Sequence, residues 1–373
     1  MLYCYILALI VILPPCKGLH MRHNEDISGQ TTERENAMKK MKQLFIVLVA
    51  IMLLTACGSK SSEGAGKLVI YTPNSEGIQS VIPLFEEKTN IKVEVISGGT
   101  GELISRLTSE KENPYADVLF GGTYTQYFAN KDLFQEYVSK EDANVVEEYR
   151  NKTGYITFTV LDGSVLIVNK ELTEGMDIKS YADLLKPELK GKIATADPAN
   201  SSSSFAQLTN ILLAMGGYED PAAWEYVEKL IQQWDGKIQS GSSGVYKSVV
   251  DGEMYVGLTY EDPVSKLIKD GAKNIEIVYP TEGAVYLPAG TGIVKDAKNL
   301  ENAKKFVDFL LTEDVQKIFG TELTNRPVRI GAEVGEHMKP FNEIPLIFED
   351  MEYITENKPK IVERYTELFA KNQ

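Results

Sequence analysis

The chain has 373 residues, 43% of them apolar, and carries 39 Lys and Arg against 53 Asp and Glu, a formal net charge of −14. That is ample material for a buried core, and the acidic balance speaks against nucleic acid, whose binding is driven by basic patches. Three histidines and three cysteines leave little for metal or nucleophilic chemistry.

From Met38 the sequence reads MKKMKQLFIVLVAIMLLTACGS, with three lysines, an uncharged apolar run of 11 residues from Leu44 to Leu54, and then Leu54-Thr55-Ala56-Cys57. A basic start, an apolar centre and small residues at the end describe a secretory signal. The run is too short to cross a membrane, which takes roughly 20 apolar residues. Its ending resembles the bacterial lipoprotein signal, in which cleavage falls before a cysteine that then bears the lipid. By that resemblance residues 38–56 are the signal peptide and Cys57 is the lipid-bearing amino terminus. Residues 57–66, rich in Ser and Gly, are then a flexible tether. Residues 1–37 precede a complete signal and read as a mis-annotated upstream extension, with the true start at Met38 or Met41.

Residues 1–56 hold 6 Lys and Arg and 4 Asp and Glu, so the mature part keeps 33 and 49, a net charge of −16, with His337 and Cys57 as its single histidine and cysteine. Zinc sites draw on Cys and His clusters, and none can be assembled. A Ser-His-Asp or Cys-His hydrolase would have to use His337, in the polar stretch IGAEVGEHMKP. There is no G-x-S-x-G and no S-x-x-K, and Gly66-Lys67 lacks the upstream glycine of a P-loop.

The mature part spans 317 residues, more than the ~250 to 300 at which single cores stop growing, so two domains are expected. In chain order, Leu68–Tyr71 reads as a short strand, Ile91–Ile96 as an alternating one, and Asp117–Phe120 as a third. Between them Ile78, Val81, Ile82 and Phe85, then Leu103, Ile104 and Leu107, recur at helical spacing. Pro83 predicts a kink or a late start in the first of these helices. Strand and helix in alternation imply a parallel sheet with right-handed crossovers. The second half repeats the grammar: KIATAD as a strand, helices over Phe205–Met215 and Trp224–Trp234, and a strand over Met254–Tyr260. The end of the chain is helical, with Leu300, Phe306, Val307, Leu310 and Leu311 on one face and a last helix near Ile361–Phe369. No short repeat runs through it.

The strand-to-helix junctions read YTPNSEG (71–77), SGGTGEL (97–103), FGGTYTQ (120–126), DPANSSSS (197–204) and SGSSGVY (240–246). In an open parallel sheet such junctions lie at the carboxyl ends of the strands, where ligands bind, and the free N–H groups of helix starts favour anions. A single serine suffices for a helix cap. Four in a row, Ser201 to Ser204, point to a further role in holding the oxygens of a phosphate or phosphonate. At each other junction capping and binding are equally open. The surface charge does not forbid an anion, because it is screened over ~8 Å whereas helix-start donors touch the ligand.

The order and spacing of LVIYTPNSEG, FEEKTNIKVEVISGGTGEL, PYADVLFGG, IATADPANSSSS and YVGLTYEDP resemble the solute-binding proteins of ABC importers, in the branch with iron(III)-, sugar-phosphate- and phosphonate-binding members. The likeness covers Lys67 to about Gln373. It implies an α/β, type II periplasmic-binding-protein fold: two α/β lobes, a ligand cleft between them and a two-segment hinge. Lobe one is placed at 67–160 plus 283–373, lobe two at 161–282, and the hinge near Val160–Ser164 and Tyr279–Val285. The resemblance implies binding residues Thr72, Asn74, Ser75, Gly99, Thr100, Gly101, Thr123, Ser201, Ser202, Ser203, Ser204 and Tyr246. Tyr260, Glu261 and Glu282 would meet sugar hydroxyls, or the carboxylates an ammonium. Glu261 and Glu282 read equally as ion-paired or capping carboxylates, and Arg106 as a phosphate contact or a solvated side chain.

The resemblance thus implies an extracellular receptor that captures a phosphorylated small organic, a hexose phosphate first, by hinge closure and delivers it to a membrane permease. It would need no cofactor and no resident metal, act as a monomer, and sit lipid-anchored at the cell envelope. The alternatives are 2-aminoethylphosphonate and iron(III) on the same fold. Iron-binding relatives use adjacent tyrosines, where this chain has Tyr260-Glu261-Asp262. An exported enzyme acting on phosphate esters is the alternative of another class, for which no nucleophile, base and orienter can be named.

Overall fold

The computed structural model describes residues 66–372. The signal peptide, Cys57 with its tether to residue 65, and residues 1–37 lie outside the described residues. The first lobe opens with β1 (Lys67–Thr72), α1 (Ser75–Gln79), α2 (Ile82–Thr89), β2 (Lys92–Ser97), α3 (Thr100–Glu110), β3 (Val118–Thr123) and α4 (Tyr124–Ala129). β1 lies between β2 and β3 and pairs with both in parallel. Its alternate side chains enter two cores: Leu68 and Ile70 join Ile78 and Phe85 on one face, while Val69 and Tyr71 join Leu103 and Leu107 on the other. A strand covered on both faces is an unbroken apolar run, which is why it is legible. The single helix expected over 78–85 is two helices, and Pro83 stands in the first turn of α2, where its missing N–H costs nothing.

The centre of the molecule is a 13-residue strand, β4 (Thr157–Asn169), which belongs to both lobes. Chain order then brings β5 (Ile193–Ala194), α5 (Ser202–Ala214), α6 (Pro221–Trp234), α7 (Ser242–Val250), β6 (Val256–Tyr260), α8 (Glu261–Lys269), β7 (Ile275–Val278) and β8 (Ala284–Ile293). From Thr157 to Gly163, β4 pairs antiparallel with β8, from Thr157↔Thr291 to Gly163↔Tyr286. From Ser164 it pairs with β6, from Ser164↔Tyr260 to Val168↔Val256, and β7 covers its other edge. The partner changes between Gly163 and Ser164. β8 in turn joins β3 antiparallel, so the first lobe's parallel strands and the second lobe's β5 and β6 hang on two long strands. The sequence reading had only connecting segments in these two places. KIATAD, expected as a full strand, yields the two residues of β5 and a bridge from Ala196 to Gln239.

The chain finishes with α9 (Leu300–Leu310), α10 (Glu313–Lys317), β9 (Arg326–Pro327), β10 (Leu346–Ile347) and α11 (Met351–Lys371). β9 pairs with β4 through Leu161↔Arg326. α11 differs from expectation twice. It begins ten residues before Ile361, with Pro359 inside it, and it packs on both lobes, its start lying against α4 and the first-lobe core through Met351. Ile354, Ile361 and Tyr365 sink into the second lobe's core beside Trp224, Leu230 and Trp234 of α6. The last helix, within the 283–373 read as first lobe, thus also buries its apolar stripe against α6.

The segment leading into α11 carries a buried carboxyl. Glu349 Oε1 has no partner, the Thr209 hydroxyl lies within hydrogen-bond reach, and burial pushes the group up to about 7 from its ordinary 4.5. A carboxyl with a raised folded pKa contributes stability that is fully present below the unfolded value and is lost as pH rises towards the folded one. Glu349→Gln should accordingly flatten the fall in stability between about pH 4.5 and 7. Urea midpoints measured across that window check this, and an unchanged slope would exclude Glu349 as the cause.

Candidate ligand-binding cleft

A cavity of about 540 Å³ opens between the lobes at the changeover of β4. Its floor is Asp162, Gly163 and Ser164 of β4 with Leu287, Pro288 and Ala289 of β8. The first lobe contributes Gly122 and Thr123, at the end of β3. The second lobe contributes Asn200 to Ser203 before and within the first turn of α5, Gly241 and Ser242 at the start of α7, and Tyr260 at the end of β6. No Lys or Arg lines it, so a ligand anion would meet hydroxyls and backbone N–H groups.

The serine quartet divides its tasks. Ser201 is the N-cap of α5, its Oγ accepting from Ser204 N–H at 3.4 Å. Ser202 and Ser203 face the cavity, Ser202 being exposed and Ser203 half-buried. Ser204 is buried, its Oγ without a partner, and does not line the cavity. At α7 the N-cap is Gly241, with no side chain to satisfy the first N–H groups. Two helix starts of the second lobe thus turn free donors and positive dipole ends towards one space.

Tyr260 stands between them, in reach of the Ser242 hydroxyl. Tyr246 lies edge-on to it, ring centroids 6.4 Å apart, and buttresses the wall without lining it. Burial, then the carboxyl of Asp162, raises the Tyr260 phenol well above its ordinary value, so Tyr260 is a hydrogen-bond donor at neutral pH.

The other expected residues lie elsewhere. Thr72 is fully buried and its Oγ1 accepts from Asn74 N–H at 2.9 Å, while Asn74 Oδ1 caps α1 by accepting from Gly77 N–H at 3.0 Å. Asn74 lines a separate cavity of about 190 Å³ with Asp262, Lys266 and Thr324. Ser75 is exposed. Gly99 and Gly101 have open space around them, and Thr100 adjoins the cleft from behind Gly122, where an added Cβ would come 3.2 Å from its Cγ2. Thr123 does line the cavity, although its backbone N–H donates to Gln126 Oε1 at 2.9 Å. Arg106 is held by Glu110 at 2.8 Å and lies 4.7 Å over the Tyr71 ring.

Glu261 and Glu282 depart from the sugar-hydroxyl role expected of them. Glu261, 1% exposed, receives two bonds from Arg326, Nε at 2.7 Å and an Nη at 2.6 Å, and a third from the Tyr279 hydroxyl at 2.6 Å. Buried and holding three of its roughly four possible bonds, it is committed to the protein and does not line the cavity. Glu282 accepts the N–H groups of Tyr181 at 3.1 Å and Ala182 at 3.0 Å, which satisfies a helical turn over Ala182–Leu185.

In their place the structure brings in Asp162, which sequence reasoning missed. One of its carboxyl oxygens, Oδ1, is shielded from water and has no partner. Burial, then the nearby carboxyls of Asp262 and Glu261, raises its pKa well above the ordinary value. A signal was present: Asp162 is the only charged residue in TFTVLDGSVLIVN, an otherwise buried run. Ser242 and Asn200 were within quoted junctions but passed over beside Tyr246 and the quartet.

Two α/β lobes carried by shared long strands, with a polar cleft floored by those strands, define a solute receptor of the type II periplasmic-binding fold. The chain belongs to the family of bacterial extracellular solute-binding proteins, whose model matches residues 81–340. It is 27% identical to iron uptake protein A1 of Synechocystis sp., over 80% of this chain and 88% of that protein. It is 26% identical to a Salmonella typhimurium periplasmic protein named for binding 2-aminoethylphosphonate, over 75% and 84%. The periplasmic binding protein AfuA of Actinobacillus pleuropneumoniae, solved with fructose 6-phosphate bound, superposes with a TM-score of 0.66 at 25% identity, covering 82% of this chain and 99% of that one. The chain is thus a solute-binding protein of the ABC importer family, and these relatives are binding proteins rather than enzymes. Such proteins bind small solutes outside the cytoplasm and deliver them to a permease. Among the described residues no helix is long and apolar enough to cross a membrane.

The Glu261–Arg326 pair joins α8 of the second lobe to β9, which pairs with β4. Removing one partner of a buried ion pair costs about 3–5 kcal/mol, while replacing both by apolar groups is often neutral. Arg326→Met should therefore lower stability by that order in urea unfolding. Arg326→Met with Glu261→Leu should recover most of the loss, and an equally unstable double variant would show that packing rather than charge was broken.

Proposed function

We propose that the cleft binds a small organic molecule bearing a phosphate or phosphonate group, and that the protein delivers it to an ABC permease. The observation that carries this reading is the convergence of the α5 and α7 starts, with Ser202, Ser203 and Ser242, on one cavity that has no basic side chain. A tetrahedral oxyanion accepts several hydrogen bonds at once, and helix N-termini supply them together with favourable dipoles. The relatives solved with fructose 6-phosphate and named for 2-aminoethylphosphonate support the same chemistry. Iron(III), which the name of another relative raises, finds less here. Among the described residues no group of three or more His, Cys, Asp or Glu is placed to hold a metal.

In this reading the lobes close about the Gly163–Ser164 changeover, gripping the ligand between Thr123 and the second-lobe helix starts. We assign the cleft no catalytic step, in keeping with relatives named as binding proteins. The protein works as a monomer, anchored through a lipid on Cys57 at the outer side of the cytoplasmic membrane or its periplasmic equivalent.

Isothermal titration of residues 58–373, freed of carried-over ligand by unfolding and refolding, tests the reading. Hexose 6-phosphate and alkylphosphonates are compared with the free hexose and alcohols. Binding confined to the phosphorus compounds is expected. Ser202→Ala with Ser203→Ala should weaken it roughly 10- to 100-fold, the worth of hydrogen bonds to a charged group, and leave the apo melting temperature nearly unchanged. Ser201→Ala should instead cost about 1 kcal/mol of apo stability as a lost cap. No binding by any phosphorus compound would sink the reading.

A further inference from the structure

The cleft lining holds both helix-start N–H donors and a single carboxyl. At the second-lobe wall the α5 and α7 starts present N–H donors, and no carboxylate of the cavity lining lies among them. At the floor stands Asp162, opposite Leu287 of β8 and one residue before the strand changes partner. The charged and titratable groups packed around it are Tyr260 of β6, and Glu261 and Asp262 of α8. Of the nearby cations, Arg326 of β9 is matched by Glu261, and Lys266 of α8 acts on Asp262. Asp262 gives its backbone N–H to Asp162, and its own carboxyl accepts from the Thr324 hydroxyl at 2.6 Å. Asp162 therefore keeps one unpartnered oxygen in a place where carboxyls outnumber cations.

We infer that Asp162 is the specificity-determining counter-group for a protonated amine on the ligand, so that the preferred solute is a zwitterion, an aminoalkyl phosphonate or phosphate ester. The inference rests on the proposed function, since the oxyanion end fixes which way the ligand lies. A sugar phosphate would set only neutral hydroxyls against Asp162, whose natural complement in this surrounding is a cation. Tyr260, already a donor, is free to serve the oxyanion.

Burial and the neighbouring carboxyls favour the protonated form of Asp162 in the free protein, and an arriving ammonium favours the ionised carboxylate. The carboxyl proton then leaves to solvent while the ammonium keeps its own. Binding of an amine-bearing ligand thus releases a proton, and its affinity rises with pH up to the point at which Asp162 ionises unaided.

Titration with 2-aminoethylphosphonate, ethylphosphonate and glucose 6-phosphate, each in two buffers of different ionisation enthalpy, decides the matter. Wild type should bind aminoethylphosphonate at least about 10-fold more tightly than ethylphosphonate and release up to about one proton more. Asp162→Asn, nearly isosteric, should erase both differences, so that aminoethylphosphonate and ethylphosphonate bind alike. The proton count on wild type stands even if that variant folds poorly. Equal affinity for the two phosphonates, or tighter binding of glucose 6-phosphate, would overturn the role of Asp162 and leave the phosphorus reading intact. Failure of all three ligands to bind would overturn both.

Discussion

A guanidinium and a carboxylate, both almost wholly removed from water, meet where the two lobes share their strands. Arg326 is 1% exposed and lies 5.2 Å from the Tyr286 ring and 5.4 Å from that of Phe341, and the Nη atom that meets Glu261 Oε1 also donates to Lys339 O at 2.8 Å. A buried pair of this kind adds little net stability, because desolvation offsets attraction. It does forbid every arrangement that would leave either charge alone. Glu261 begins α8 directly after Tyr260, so fixing its carboxylate fixes the end of β6, the phenol in the cleft wall and the Asp262 N–H offered to Asp162. The cleft floor is thus set by an interaction that no ligand touches.

That arrangement explains an apparent mismatch. A protein of strongly acidic composition can present a site suited to an anion, because its cleft donors are neutral hydroxyls and helix N–H groups and Asp162 is the only acidic residue lining it. Neutral donors cost less to desolvate than lysine when the cleft is empty. They also fix orientation through several bonds instead of one point charge.

Much of the framework was legible because β1, β3 and β6 are covered on both faces and so read as apolar runs between turn residues. Helices α5, α6 and α9 follow their apolar spacing, and the serine run marked the right junction. What failed shares one cause: strands that change partner. β4 and β8 have no periodicity of their own because each residue is buried by a different neighbour along the way, and they were taken for connections. For Glu261 and Glu282 the sequence leaves two roles open, because a carboxylate's role depends on what reaches it from afar. Arg326 lies 65 positions from Glu261, and Tyr181 lies 101 from Glu282, separations that no local pattern records. Asp162 was overlooked for the converse reason, being a lone charge in a segment assigned no strand.

The packing of α11 across the molecule has a practical side. The first described strand begins at Lys67 in one lobe, while the final helix, ending at Lys371, is fastened to the other. Any rotation of the lobes against each other is therefore also a change in the distance between the two ends of the folded chain. A pair of fluorophores at those ends, remote from the cleft, would convert solute capture into an optical signal without altering a residue that binds.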